Sequence, residues 1–222
     1  MRLFISINFN EETIEDLVNL QAELRECGID GNYTKPENLH LTLAFIGEYG
    51  NPDEVMEAIE NVEFKPVALE FEGLQHFRDM YFARIKNNPG LESIVRRLRR
   101  ALSDKGIPFD RKKFRPHITL ARKVSFGEGA IANLPEDIKV RDTLAERISL
   151  MRSERGKNGM IYTEVGMSLV DRLSENESIT GLRVLSEDDL VKELTESIES
   201  SNKGFTKNAR DVSANLRKKY VV

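Results

Sequence analysis

The sequence predicts a two-lobed α+β fold, on three observations. A strand–helix–strand order occurs twice, over residues 3–9, 11–27 and 39–47 and again over 81–85, 89–105 and 114–122. The offsets agree, with Phe4 to His40 spanning 36 residues and Phe82 to His117 spanning 35. Each unit closes on a His-x-Thr in an apolar run, His40-Leu41-Thr42-Leu43 and His117-Ile118-Thr119-Leu120, in a chain with only three histidines. A repeated unit ending in one reactive strand predicts two lobes related by a pseudo-twofold axis, with the His strands lining the cleft between them.

Residues 3–9 are apolar and β-prone. Over 11–27, Ile14, Leu17, Val18, Leu20, Ala22 and Leu24 recur with a helical rhythm, with Asn10 as N-cap and Gly28 and Gly31 as the stop. Residues 32–36 read as a polar connection, 39–47 as the first motif strand and 52–61 as a short helix. Residues 67–74 alternate as a half-buried strand does, and 81–85 form the next strand. Over 89–105, Leu91, Ile94, Val95, Leu98, Ala101 and Leu102 make one stripe, with Arg96, Arg97, Arg99 and Arg100 on the solvent side. Gly106 is suited to the position after the helix end. Residues 114–122 are the second motif strand. The connector 123–142 has no clear period, and 145–151 and 160–169 read as strands joined by the Gly-, Asn- and charge-rich loop 152–159.

Beyond residue 170 the texture changes. Residues 171–202 carry nine acids against three bases, with a helical stripe of Leu190, Val191, Leu194 and Ile198. A second stripe, Phe205, Ala209, Val212, Leu216 and Tyr220, lies on a segment of net charge +5. The division expected is a main domain over 1–170 and a helical extension over 171–222. Two such helices bury little alone, so the extension is expected to dock on the main domain, to self-associate or to bind a partner. Its basic run Arg217-Lys218-Lys219 also suits RNA.

Hydrophobic content of 40% with 32% charged residues suits a globular protein with a real core. The single Cys27 leaves no internal disulfide, and no run of apolar residues is long enough to cross a membrane, so a cytoplasmic location is expected. Net charge is −4, yet residues 78–123 hold fourteen Lys/Arg against four Asp/Glu, leaving −14 on the remainder. A local basic field of that kind can steer a polyanion.

Because side chains alternate along a strand, His and Thr of each motif share one face. Two imidazoles facing one another suit concerted acid–base work near neutral pH, one accepting a proton while the other donates. The Thr hydroxyls add donors for anionic oxygens. The reaction class that uses all four is the opening of a phosphodiester without a metal or other cofactor. Zinc held by His40, His117 and His76 is an alternative, weakened because each motif offers Thr where a metal would take His, Cys or a carboxylate.

The twin HxTx motifs resemble those of the 2H phosphoesterases. The flanks Arg2-Leu3-Phe4-Ile5, Asn38 to Glu48 and Arg115 to Arg122 resemble the RNA 2′,3′-cyclic phosphodiesterase branch, historically called 2′-5′ RNA ligases, over about residues 1–170. The resemblance implies two antiparallel sheets around a central cleft. It implies hydrolysis of an RNA-terminal 2′,3′-cyclic phosphate to a 2′-phosphate, with 2′-5′ ligation as a related activity. It makes His40 the proton donor and His117 the proton acceptor, with Thr42, Thr119 and Arg122 binding the phosphate. Arg122 shares the parity of Ile118 and Leu120, so it faces the cleft only if the strand bulges near Ala121 or the side chain reaches round the strand end. Lys112, Lys113 and Arg115 are candidates for RNA backbone contact, and Phe4 and Tyr33 for base stacking. Two other readings stay open, a phosphodiesterase of small cyclic nucleotides and an RNA-end-binding module without turnover.

Overall fold

Each His-x-Thr strand lies in its own four-stranded antiparallel sheet in the computed structural model, which describes residues 1–127, 138–157 and 159–169. In chain order the elements are β1 (Arg2–Asn8), α1 (Glu11–Glu26), β2 (Ile29–Tyr33), a 3₁₀ turn (Pro36–Asn38), β3 (His40–Glu48), α2 (Pro52–Glu60), β4 (Val67–Leu69), β5 (Phe71–Phe77), β6 (Met80–Ile85), α3 (Pro89–Asp104), β7 (His117–Phe126), β8 (Thr143–Ala145), β9 (Arg147–Gly156) and β10 (Gly159–Leu169). The first sheet runs β10-β9-β1-β3 and the second β2-β7-β6-β5, while β4 and β8 pair separately. The expected helical extension 171–222, and residues 128–137 of the connector, lie outside the described residues.

Both long helices start as asparagine caps dictate. Asn10 accepts from the Thr13 N–H and Asn88 from the Leu91 N–H, each at 2.9 Å, so each side chain satisfies a backbone donor that the first turn leaves open. Gly106 ends α3 in the left-handed region at φ 69°, where a Cβ would be strained, and the Ile107 N–H reaches back to the Leu102 carbonyl.

The helices do not cover the sheets of their own units. Helix α1 lies against β2 and β7 of the second sheet, whereas α3 lies against α2 and against β3 of the first. Gln21 fastens this exchange, its buried amide donating to the Leu120 carbonyl of β7 at 2.9 Å. Leu17, Leu20 and Leu24 of α1 and Leu91, Ile94 and Leu98 of α3 join Leu41, Leu43, Ile118 and Leu120 in one core.

Several bounds differ from the sequence reading, each for a physical reason. Residues 29–33 form an edge strand, not a loop. Only Ile29 is buried there, and β2 holds to β7 through backbone pairing that leaves no apolar alternation to read. Gly31 suits that edge, since a Cβ would stand a tight 3.1 Å from the Arg122 carbonyl oxygen. Strand β7 starts at His117, later than expected, because Pro116 has no N–H to give the ladder. It then continues to Phe126, into the aperiodic connector. Residues 152–156 are strand, so the β9–β10 hairpin turns tightly at Gly156 opposite Gly159. The matched offsets are not structural equivalents either. Thr42 pairs with Ser6 and Thr119 with Phe82, so the counterpart of Phe82 is Ser6 and not Phe4.

Candidate active site

The two motifs are built alike. In each, the apolar partners are buried, Leu41 and Leu43 on β3 and Ile118 and Leu120 on β7, while His and Thr stay half-exposed on the other face. The imidazole Nδ1 of His40 lies 2.7 Å from the Asn38 carbonyl, and that of His117 lies 2.7 Å from the Arg115 carbonyl. A carbonyl only accepts, so both Nδ1 atoms carry the hydrogen and both Nε2 atoms are left for chemistry.

Both strands bulge at the same point. The β1–β3 ladder pairs Ser6 with Thr42 and Ile5 with Ala44, stepping over Leu43. The β6–β7 ladder pairs Phe82 with Thr119 and Tyr81 with Ala121, stepping over Leu120. Each extra residue reverses the alternation that follows it. Phe45 and Arg122, five positions after their histidines, therefore join the His-x-Thr face. A bulge near Ala121 is one of the two routes to this face that the parity of Arg122 left open. Arg122 is exposed and its Nη1 lies 3.7 Å from Met80 Sδ.

Strands β3 and β7 lie against each other, and His40 feels the second motif. Burial pushes the His40 imidazole down to about 4, against the pull of its hydrogen bond to the Asn38 carbonyl, and the charges of Arg122 and His117 add to the depression. His40 is thus neutral at pH 7, with Nε2 accepting from the Thr42 hydroxyl at 3.0 Å.

Sequence reasoning missed several side chains beside the motifs. Tyr162 of β10 stands edge-on to His40 at 5.3 Å and to Phe4 at 5.0 Å, and Phe4 lies 4.8 Å from His40. Phe82 meets His117 edge-on at 4.6 Å. Directly across the ladders stand Asn8 opposite His40 and Arg84 opposite His117, bonded to Glu164 at 3.1 Å and to Glu72 at 2.9 Å. Alternation in 3–9 places Phe4 and Asn8 on one face, but the cross-strand register needed to set them beside His40 is not in the local sequence.

Other candidates stand elsewhere. Phe4 is buried among His40, Phe45 and Tyr162, so it backs the site and offers no open face. The ring of Tyr33 is already covered by the Arg25 guanidinium at 3.8 Å, and its hydroxyl donates to the Ile29 carbonyl. His76 stacks on Tyr81, on the face of the second sheet opposite His117, so the three histidines do not converge. Among the described residues no three metal-ligating side chains cluster. None of their helices is long and apolar enough to cross a membrane.

Comparison with known proteins bears on the family and the fold. The profile of the 2′-5′ RNA ligase superfamily matches residues 10–157. The RNA 2′,3′-cyclic phosphodiesterase of Thermotoga maritima is 28% identical over 174 residues, 73% of this chain and 91% of that protein. The protein of that name from Aeropyrum pernix is 29% identical over 158 residues, 66% of this chain and 90% of its own length. Among solved structures, E. coli LigT complexed with 3′-AMP superposes with a TM-score of 0.65 at 22% identity, over 77% of this chain and 98% of that one. TT0787 of Thermus thermophilus gives 0.64 at 25% identity with the same coverage.

Proposed function

Because the chain belongs to the 2′-5′ RNA ligase superfamily, we propose that it hydrolyses RNA-terminal 2′,3′-cyclic phosphates to 2′-phosphates, without a metal, through His40 and His117. The observation that carries this reading is the matched pair of imidazoles, each fixed through Nδ1 by the carbonyl two residues before it, with Nε2 left for the reaction. In the reaction, His117 Nε2 takes a proton from the attacking water and the new P–O bond forms. The bond from phosphorus to the 3′ oxygen breaks, and His40 Nε2–H protonates that oxygen. Thr119, Arg122 and a Thr42 released from His40 hold the non-bridging oxygens. The same steps with an RNA 5′-hydroxyl attacking in place of water give the 2′-5′ ligation that the superfamily name describes.

The depressed His40 favours a second reading, in which His40 takes the proton and His117 gives it. The pH dependence of kcat/KM reports the free enzyme and separates the two. Activity that falls on acidification through about 4 makes His40 the base. Activity that needs His40 protonated falls as pH rises above that value.

The direct test is incubation with a cyclic-phosphate-ended RNA in EDTA, with the product identified as a 2′- or 3′-phosphate. Absence of turnover in that assay leaves the RNA-end-binding module as the better reading, and preference for a mononucleotide leaves the small-nucleotide enzyme. We also propose that the chemistry lies within 1–170, in the cytoplasm, and that 171–222 is a helical extension for self-association or partner docking. Truncation at 170 that alters neither oligomer size nor RNA affinity would remove that role.

A further inference from the structure

The arginine face of α3 is not plain solvent surface. Arg96 and Arg99 line a groove of about 310 Å³ together with Lys113, Phe114, Val95 and Asn87. Arg99 Nη2 donates to the Lys112 carbonyl at 2.8 Å, joining the helix to the segment before β7, and its buried Nε has no partner among the described residues. Glu92 also lines the groove, but its carboxylate is engaged by the Asn87 amide. Three cations therefore face one carboxylate that is already hydrogen-bonded.

The groove adjoins the reactive end of the second sheet. Asn87 follows β6 by two residues and Phe114 precedes His117 by three, and the Ile85 N–H bonds the Pro116 carbonyl at 3.2 Å, holding the two segments together. Three residues span at most about 10 Å, so the groove opens within a short reach of His117.

A cyclic phosphate closes the 3′ end of an RNA, so the polymer leaves the site only in the 5′ direction, carrying one negative charge per nucleotide. Guanidinium and ammonium groups beside a phenyl ring suit that chain, the cations taking phosphate oxygens and the ring a sugar or base. We propose that this groove binds the sugar–phosphate backbone immediately upstream of the cyclic phosphate. The inference rests on the phosphodiesterase reading and extends it to an oligoribonucleotide substrate.

The test compares a short oligoribonucleotide ending in a 2′,3′-cyclic phosphate with a nucleoside 2′,3′-cyclic phosphate, which has no upstream chain. Arg96→Ala is expected to raise KM about tenfold for the oligonucleotide and to lower its salt slope by about one, with the nucleoside unaffected. Arg96→Lys keeps a point charge and restores most of the loss. Arg100→Ala removes the same charge from the same helix, but Arg100 is paired with Asp104 outside the groove and should change neither substrate. The groove is refuted if Arg96→Ala behaves like Arg100→Ala, or if it shifts both substrates equally. If the wild-type protein turns over neither substrate, the phosphodiesterase reading fails. Anisotropy of a labelled oligoribonucleotide on wild type and Arg96→Ala then judges the groove separately, equal affinity overturning it.

Discussion

The His40 and His117 strands share a motif, a bulge and a tautomer-fixing carbonyl, and differ in almost everything around them. His40 sits beside aromatic rings, with the neutral Asn8 across the ladder and Phe45 five positions on. His117 has Arg84 across the ladder and Arg122 at the position of Phe45. One half offers desolvation and ring surface, and the other offers positive charge. Side chains at equivalent points of the two motifs thus make the site asymmetric, as the proposed pairing of one acid and one base across a monoanionic cyclic phosphate requires. It also explains why His40 is depressed by its surroundings.

The strongest way to break the comparison is to remove either imidazole. His40→Ala and His117→Ala should each lower kcat by ~10²–10⁴-fold on a cyclic-phosphate RNA, with circular dichroism unchanged. If either variant retains turnover, the pair does not act as a unit.

Stability against pH tests the asymmetry without substrate. His40 falls from 6.5 in the unfolded chain to about 4 in the folded protein, so between those values the unfolded state holds more protons. Folding stability should be full above 6.5 and decline as pH drops toward 4, by about 3 kcal/mol over that window. Denaturant midpoints at pH 7 and 4.5 should separate clearly for wild type and converge for His40→Gln. Asp16, held below its usual 3.8 chiefly by its hydrogen bond from Arg141, loses its contribution only at lower pH and leaves this window clear.

Exchanging the fifth positions sharpens the charge contrast. Arg122→Ala should cost ~10–100-fold in kcat/KM, the scale of a hydrogen bond to a charged group, whereas Phe45→Ala should act mainly on KM. Equal effects of the two on kcat would mean that the halves are not electrostatically distinct. The smallest difference is expected at the helix caps. Asn10→Ala should cost about 1 kcal/mol in chemical denaturation. Asn88→Ala should cost more, because Asn88 also donates to the Ala68 carbonyl of β4.

What the sequence made legible is what recurs locally. The apolar stripe of α3, the alternation around His40 and His117 and the Asn10 cap are each written in a dozen residues or fewer. The bulges were legible only as a conflict, since Arg122 had the wrong parity for a regular strand. Strand β2 was hidden because Asp30, Gly31 and Asn32 are exposed and owe their place to backbone pairing. Tyr162 and Arg84 escaped because pairing register joins residues far apart in the chain. The groove beside Arg96 and Arg99 escaped for a similar reason, since its other wall comes from Lys113 and Phe114.

The exchange of helices between the sheets bears on how such a chain is made. The Gln21 amide also donates to the Thr34 carbonyl 13 residues on, but its second acceptor, Leu120, lies 99 residues downstream. On the ribosome, α1 emerges long before β7, the strand it will cover, has been synthesised. Neither half is then a folding unit in its own right, and a chain cut between β5 and β6 should yield two fragments that are unstructured apart and active only when mixed.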